Sequence, residues 1–310
     1  MSTITDVYYG DDQWERQKFR YVEWKDRKTK FVNNFIPSEN IVFPEESNVQ
    51  PVLDITKDDV CWDTVCVNDN TKSVEDTVHF GVCGNISSGK SYFLERFENY
   101  INNTSNSHTI KREYPKLAKY IGRTKIFYEV PDGKILDRYY SGMNYIDGLT
   151  PTDVCFDTQI YFLSLRIKVN QAKKKFVGLI ADDRTFFEDK LFSVLKHKQN
   201  FFTSDQYDIY KTFYSSLKEE VLPHKFFLYL KVCPEVSYNN LQKRIKDLES
   251  RGLDTKGEKM IKFEYLELLG KCYTIWAESM KAVLGEKFVV VEYNEYKPLE
   301  YMLKLINDNL

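Results

Sequence analysis

The chain lacks a long apolar run, an excess of one charge and an N-terminal targeting pattern. None of its 310 residues lies in an apolar run close to the ~20 residues that a membrane span needs. Lys and Arg number 44 and Asp and Glu 46, giving a net charge of −2, which argues against a protein dedicated to nucleic acid. The N-terminus MSTITDVYYGDDQWE is acidic and has no apolar core, so it predicts neither a secretory signal nor a transit peptide. We therefore expect a cytoplasmic protein with no membrane and no nucleic-acid partner.

Cysteine and histidine are scarce, with six and four residues respectively. Four residues separate Cys61 from Cys66, but no second pair with the spacing of a zinc site follows. The histidines are scattered along the chain, at positions 79, 108, 197 and 224. This pattern favours free thiols in a reducing compartment over a structural zinc site.

The sequence divides into two regions of different character. Residues 1–75 contain mixed charges and turn-like pieces such as IPSEN, without a long periodic segment, and predict an N-terminal extension of unknown role. Residues 76–310 alternate short apolar runs with amphipathic patterns and predict one domain. The apolar runs predict strands at 78–83, 124–130, 176–181, 226–232 and 288–293. The amphipathic patterns predict helices, most clearly at 91–102, 156–174 and 259–283.

Fully apolar strands that alternate with helices predict an α/β fold, with a parallel sheet covered by helices on both faces. In such sheets ligands bind beyond the carboxyl ends of the strands. Residues 84–91, Glu129, residues 182–184 and the stretch after Pro234 all lie at or just past the carboxyl ends of predicted strands. We expect these segments to form one site.

The segment GNISSGKS fits the phosphate-loop pattern G-x-x-x-x-G-K-[ST], directly after a predicted strand and before a predicted helix. In such a loop the backbone N–H groups surround phosphate oxygens, aided by the positive end of the helix. Lys90 would bridge the β- and γ-phosphates and Ser91 would bind Mg²⁺. We expect Lys90 to be solvated when no nucleotide is bound. The predicted loop residues are Gly84, Asn85, Ile86, Ser87, Ser88, Gly89, Lys90 and Ser91.

Several segments, in order, resemble the deoxynucleoside kinase family. GNISSGKS resembles that family's phosphate loop, G-N-I-G-S-G-K-[ST], and DRTFFEDKLF resembles its E-R-S segment. FLYLKVCPEVSYNNLQKRI resembles the strand, Pro-Glu turn and helix before its arginine-rich lid. IKFEYLELL and VVVEYNEY resemble the segment after the lid and the last strand. The resemblance covers about residues 78–310, and it implies a P-loop kinase fold with a five-stranded parallel sheet and a lid.

The resemblance implies roles at the reacting centre. Glu129 matches the carboxylate that takes the proton from a sugar 5′-hydroxyl, and Arg184 matches an arginine that binds phosphate near the 5′-oxygen. Asp183 stands where the family has a Glu that helps to hold Mg²⁺. ATP is then the phosphate donor, and a deoxynucleoside is the acceptor.

The resemblance also implies roles in substrate recognition. Gln159 matches a glutamine that reads the base edge, and Arg166 with Asp189 match a pair found in members that prefer purines and cytosine. The remaining matches concern the lid and the sugar: Arg244 and Arg251 are candidates for the lid, and Glu258 and Tyr140 for the sugar 3′-hydroxyl.

This sequence departs from the family pattern near the predicted sugar and base pocket. Glu-Pro-Val reads Glu129-Val130-Pro131 here, the Trp expected after it is absent, and Ser87 replaces a loop glycine.

Three functions therefore stay open: a deoxynucleoside 5′-kinase, a non-catalytic relative acting as an accessory protein, and a nucleoside monophosphate kinase. We favour the first, acting in nucleotide salvage on deoxycytidine or a deoxypurine nucleoside. A homodimer is compatible with it.

Overall fold

The computed structural model describes residues 54–61, 77–129, 135 and 151–310. Its centre is a five-stranded sheet with strand order β2-β3-β1-β4-β5, in which all four neighbouring pairs are parallel. The strands are β1 (Val78–Cys83), β2 (Thr124–Phe127), β3 (Leu179–Asp183), β4 (Phe226–Lys231) and β5 (Phe288–Glu292). The predicted α/β fold class is thus confirmed.

Apart from one short helix before β1, the α-helices of the described residues lie between the strands or after the last one, in the alternating order that the sequence predicts. They are α1 (Lys57–Val60), α2 (Lys90–Asn102), α3 (Ser107–Glu113), α4 (Pro151–Lys173), α5 (Asp189–Lys198), α6 (Ser204–Lys218), α7 (Pro234–Ser250), α8 (Lys256–Lys259), α9 (Phe263–Leu284) and α10 (Leu299–Asn309). Across these described helices, none combines the length and the apolar character that crossing a membrane would require.

Hydrophobic clusters cover both faces of the sheet, because successive side chains of each strand point to opposite faces. On β4, Phe226, Leu228 and Leu230 belong to one buried cluster, with side chains of α2 and α10. Phe227 and Tyr229 belong to another cluster, with side chains of α5 and α9. The two-sided burial explains why the strands read as continuous apolar runs rather than alternating ones.

Several predicted boundaries were wrong: β2 ends at Phe127 rather than at residue 130, and α4 begins at Pro151 rather than at residue 156. The strand predicted at 176–181 is β3, Leu179–Asp183, so Asp182 and Asp183 lie within the strand and not beyond it. Gly178 has φ +147°, which is outside the range of a strand, so β3 begins after it. Only glycine fits there, since a Cβ would lie 2.1 Å from the Arg123 carbonyl oxygen. The helix predicted at 259–283 is α9, which begins at Phe263, while Lys259 ends the short helix α8.

Residues 54–61 fall inside the predicted N-terminal extension, yet they pack on the domain. Thr56 and Asp59 form a reciprocal capping box that begins α1. Val60 is fully buried in the cluster with α5 and α9, and Asp59 Oδ1 lies 2.8 Å from Lys198 Nζ. The rest of the predicted extension, apart from residues 54–61, lies outside the described residues, so its boundary and its role stay predictions.

Candidate active site

The segment 84–89 forms a tight loop between β1 and α2, and its two glycines have conformations that side chains would not permit. Gly84 has φ +151°, and a Cβ there would lie 2.7 Å from Ser88 Oγ and 2.9 Å from the Leu230 carbonyl oxygen. Gly89 has φ +91°, and its Cβ would lie 2.8 Å from the Tyr296 ring. The backbone can therefore approach a ligand closely here, at the N-terminus of α2, where free N–H groups favour anions.

Lys90 is buried, and our expectation of a solvated side chain was wrong. Its Nζ donates to the carbonyl oxygens of Gly84, at 2.7 Å, and Asn85, at 2.9 Å. Burial and the Arg184 guanidinium lower the pKa of Lys90, although nearby carboxylates oppose the shift. The loop's own carbonyl groups satisfy the ammonium donors, which explains how a charge is tolerated there.

Asp183 and Ser91 form an oxygen-rich pair beside the loop. Ser91, in the first turn of α2, donates from Oγ to Asp183 Oδ2 at 2.5 Å, and Asp183 ends β3. Burial raises the pKa of Asp183, while Lys90 and the Ser91 hydrogen bond oppose the shift. Hydroxyl and carboxylate oxygens are the ligands that Mg²⁺ takes, so these residues fit the predicted magnesium site.

Glu129 lies between two arginines, two residues after β2. Its Oε1 is 2.7 Å from Arg166 Nη2, and its Oε2 is 3.2 Å from Arg184 Nε. Burial raises the pKa of Glu129, but Arg166, Arg184 and Lys90 outweigh burial and hold this pKa below its ordinary value. The carboxylate is therefore ionised at neutral pH.

Arg166 of α4 also pairs with Asp189, the first residue of α5. Its Nε lies 3.0 Å from Asp189 Oδ2 and 3.2 Å from Oδ1, with both side chains buried. Burial raises the pKa of Asp189 to about 6, against the opposing charge of Arg166. Gln159 is also buried and precedes Arg166 by two turns, so the two share one face of α4. The structure thus brings Arg166 and Asp189 into contact and places Gln159 on the same face of α4 as Arg166.

Arg184 adopts a backbone conformation that is costly for a side chain. Its φ is +74°, and its N–H donates to the Val82 carbonyl oxygen at 3.2 Å. Its guanidinium lies 4.5 Å from the ring centre of Phe192. Such strain persists when surrounding contacts hold it, and it is common where a side chain must face a substrate.

Helix α7 connects the loop with the predicted lid. Asn240 donates to the Ser87 carbonyl oxygen at 3.1 Å, and Arg244 lies one turn further along the same face. Arg244 Nε is 3.1 Å from Glu258 Oε2, so a residue predicted for the lid contacts a residue predicted to bind the sugar. Arg251 lies at the end of α7 and pairs with Asp247, at 3.7 Å. Tyr140, predicted to bind the sugar, lies outside the described residues.

Sequence reasoning missed Glu188, which is fully buried beside the loop. Its carboxylate accepts from the Gly84 N–H at 3.0 Å and from the Tyr273 hydroxyl at 2.9 Å. The resemblance drew attention to Asp183, Arg184 and Asp189 in the same segment and gave Glu188 no role. The signal available in the sequence was that Glu188 directly follows two phenylalanines in DRTFFED, where a buried residue is expected.

A second missed feature is a buried polar cluster in the sheet. His79 of β1 and His224, which precedes β4, place Nε2 atoms 2.9 and 3.1 Å from Asp182 Oδ2. Lys173 Nζ lies 2.6 Å from the other Asp182 oxygen. Burial lowers the pKa of His79, and it lowers the pKa of His224 to about 3. Although the His-Asp-His geometry resembles a set of metal ligands, the Lys173 ammonium already neutralises Asp182, so the contacts describe a structural ion-pair network.

The fold and this site define a P-loop kinase of the nucleoside and nucleotide kinase type, with a phosphate loop facing a buried carboxylate. The family model for deoxynucleoside kinases matches residues 80–304. The chain belongs to the deoxynucleoside kinase family, as the sequence predicts.

Known relatives agree with this assignment. A deoxyadenosine kinase of Dictyostelium discoideum is 22% identical over 190 residues, which cover 61% of this chain and 70% of that protein. Structures of a deoxyadenosine kinase from M. mycoides, with bound dCTP and with bound dATP, share 21% and 22% identity, each with a TM-score of 0.51. Each comparison covers 74% of this chain and 97% of that one. These structures support the P-loop kinase fold.

Proposed function

We propose that this protein transfers the γ-phosphoryl group of ATP to the 5′-hydroxyl of a deoxynucleoside. The observation that carries the proposal is the position of Glu129, an ionised buried carboxylate held by Arg166 and Arg184. Lys90 is close enough to lower the pKa of Glu129 by its charge. A phosphate-binding loop and a proton acceptor therefore belong to one electrostatic site, as phosphoryl transfer to a hydroxyl requires.

The geometry supports a direct transfer without a covalent enzyme intermediate. Glu129 accepts the proton of the 5′-hydroxyl while the 5′-oxygen forms a bond to the γ-phosphorus. The bond from that phosphorus to the β–γ bridging oxygen breaks, and ADP leaves. Lys90 moves from the loop carbonyl groups to the phosphates, and Arg184 stabilises the charge on the transferred group. Arg244 and Arg251 of the lid approach the same group.

Ser91 and Asp183 would hold Mg²⁺, which when bound neutralises charge on the triphosphate. The Asp183 side chain that accepts from Ser91 is already buried, so its orientation needs no large rearrangement.

The base pocket supports deoxycytidine or a deoxypurine nucleoside as the substrate. The Arg166–Asp189 pair offers hydrogen-bond donors and acceptors together, which cytosine and the purines satisfy through an exocyclic amine or a ring nitrogen. Thymine would leave part of this buried pair unsatisfied, at a cost of about 1–3 kcal/mol for each lost group. Gln159 reads the base edge, and Tyr140 and Glu258 bind the sugar 3′-hydroxyl. We further propose that the reaction serves nucleotide salvage in the cytoplasm.

The contacts of Glu129 favour a nucleoside over a nucleoside monophosphate as the acceptor. An acceptor phosphate would have to displace Glu129 from Arg166 or Arg184, which are its partners at 2.7 and 3.2 Å. Lys90, Ser91, Glu129 and Arg184 are all present in this chain, which speaks against a non-catalytic role.

A nucleoside panel with ATP and Mg²⁺ tests the specificity. We expect kcat/KM for deoxycytidine or a deoxypurine nucleoside to exceed that for thymidine by about ten- to a hundredfold. Asp189→Ala should reduce this preference while leaving the Arg166–Glu129 contact in place, which Arg166→Met would remove. A wild-type preference for thymidine would contradict the assignment of the base pocket.

A further inference from the structure

The Glu188 carboxylate is enclosed by four hydrogen-bond donors. Oε1 accepts from the Gly84 N–H at 3.0 Å and from the Tyr273 hydroxyl at 2.9 Å. Oε2 accepts from the Thr185 N–H at 2.6 Å and from the Thr185 hydroxyl at 3.1 Å. The side chain is fully buried, and a buried carboxylate is tolerated when its oxygens are satisfied in this way.

These four bonds join three separate parts of the site. Gly84 is the first residue of the phosphate loop, and Thr185 follows Arg184 in the turn after β3. Tyr273 lies on α9, which packs under the loop through Asn85, whose amide donates to the Leu266 carbonyl oxygen at 2.9 Å. Glu188 therefore connects the side of the site that binds the donor with the side that holds Glu129 through Arg184.

Gly84 is held from two directions. Its N–H is bound by Glu188, and its carbonyl oxygen is bound by Lys90 Nζ at 2.7 Å. When Lys90 moves to a bound triphosphate, its bond to the Gly84 carbonyl is lost. The bond to Glu188 does not depend on Lys90 and keeps the peptide of Gly84 in place.

We propose that Glu188 is a positioning residue, which fixes the base of the phosphate loop against the Arg184–Thr185 turn so that ATP meets a preformed loop. This inference rests on the proposed function, because it takes ATP as the ligand of the loop. Preformed hydrogen-bond geometry lowers the cost of ordering the loop on binding, so the effect belongs to ATP affinity and turnover more than to nucleoside affinity.

Glu188→Gln tests the proposal with little change of shape. The amide presents an NH₂ group where a carboxylate oxygen accepted, so it faces the N–H of Gly84 or of Thr185 donor to donor. We expect the dissociation constant for ATP, measured by titration calorimetry, to rise about tenfold and kcat to fall. The KM for the nucleoside should stay within about twofold.

Tyr273→Phe is the matched control, since it removes one donor to the same oxygen and leaves the Gly84 bond and the aromatic packing. We expect it to lower the melting temperature while keeping ATP affinity within about twofold. Glu188→Asp keeps the charge, but its side chain is one methylene shorter, so it cannot reach both Gly84 and Thr185. This variant should therefore lose ATP affinity as Glu188→Gln does, with little change in the KM for the nucleoside.

Three results would overturn the proposal. The first is unchanged ATP affinity in Glu188→Gln, and the second is an equal loss of ATP and nucleoside affinity in that variant. The third is failure of both Glu188 variants to fold, which would make the carboxylate a requirement of the fold alone. A wild-type protein that binds ATP but phosphorylates no nucleoside would instead defeat the proposed function, and the comparison of ATP affinities would still stand.

Discussion

Ser87 and Arg184 hold the left-handed backbone conformation that normally favours glycine. Their φ values are +58° and +74°. Arg184 has contacts that compensate for this, through Glu129 and the ring of Phe192. Ser87 contributes its carbonyl oxygen to Asn240, a bond that a glycine would also make. The strain at Ser87 is therefore a cost that its backbone contact does not explain.

We predict that Ser87→Gly stabilises the protein by about 0.5–1 kcal/mol, because relief of left-handed strain exceeds the added entropy of the unfolded chain. Denaturant unfolding measures the free energy. Asn200→Gly is the control: Asn200 has φ +60°, but asparagine tolerates this conformation, so the gain should be smaller. Destabilisation by Ser87→Gly would show that the added entropy of the unfolded chain outweighs the relief of strain.

At the residue scale, the sequence predicts which residues form the site better than it predicts how their side chains are oriented. The residues assigned to base recognition and proton transfer do lie together, as the contacts of Arg166 with Glu129 and Asp189 show. The position of the Lys90 ammonium was wrong, because the sequence does not reveal that loop carbonyl groups can satisfy it internally. Glu188 was missed for a similar reason, since its four partners come from three different segments.

At the element scale the hydrophobic patterns located all five strands of the sheet, with errors of a few residues at their ends. The largest error fell on β3, where Asp182 and Asp183 were taken as residues beyond the strand. Polar side chains can occupy a central strand when neighbouring strands supply partners, and His79 on β1 is such a partner. Periodicity along one segment contains no information about partners on another.

The order of the strands explains why the site residues converge. β1 is central and pairs with β3 on one side and β4 on the other. The phosphate loop follows β1, Asp183 ends β3 with Arg184 directly after it, and α7 follows β4. All three segments therefore meet at the carboxyl edge of the sheet. The sequence predicts the parallel sheet, whereas strand order depends on packing between helices that are distant in sequence.

For the whole molecule, the buried cluster around Asp182 links β1, β3, the start of β4 and the end of α4. Lys173 ends α4, the helix that carries Arg166. Burial raises the pKa of Asp182, but His79 and Lys173 outweigh burial and hold it well below its ordinary value. This carboxylate stays ionised down to strongly acidic pH, so within this cluster the histidines are the groups that respond to mild acid.

We predict that His224 destabilises the folded protein as the pH falls from 7 to 5, whereas Asp189, whose folded pKa is about 6, gives a smaller contribution of opposite sign. The folded pKa of His224 is about 3, against 6.5 for the unfolded residue, so in this window the unfolded chain binds a proton that the folded chain does not. The contribution of His224 to the free energy of unfolding therefore falls by about 2 kcal/mol between pH 7 and pH 5. Denaturant unfolding at a series of pH values measures it.

Two variants separate the contribution of His224 from that of the buried carboxylates, which titrate in the same pH range. His224→Gln removes the titrating group, so the wild type should lose about 2 kcal/mol more than this variant between pH 7 and pH 5. His108→Gln, at an exposed position on α3, should keep the wild-type slope. Equal slopes for His224→Gln and the wild type would contradict the neutral, buried state of His224.

The most direct test of the account is phosphoryl transfer itself, measured by single turnover with ATP, Mg²⁺ and deoxycytidine or a deoxypurine nucleoside. The wild type should form the 5′-monophosphate, and Glu129→Gln should bind the nucleoside yet transfer phosphate about 10²–10⁴-fold more slowly, because the amide cannot accept the proton. Glu113→Gln, an exposed residue of α3, serves as the control and should react at the wild-type rate. Absence of a 5′-monophosphate with every nucleoside, or a loss below about tenfold in Glu129→Gln, would contradict the central claim.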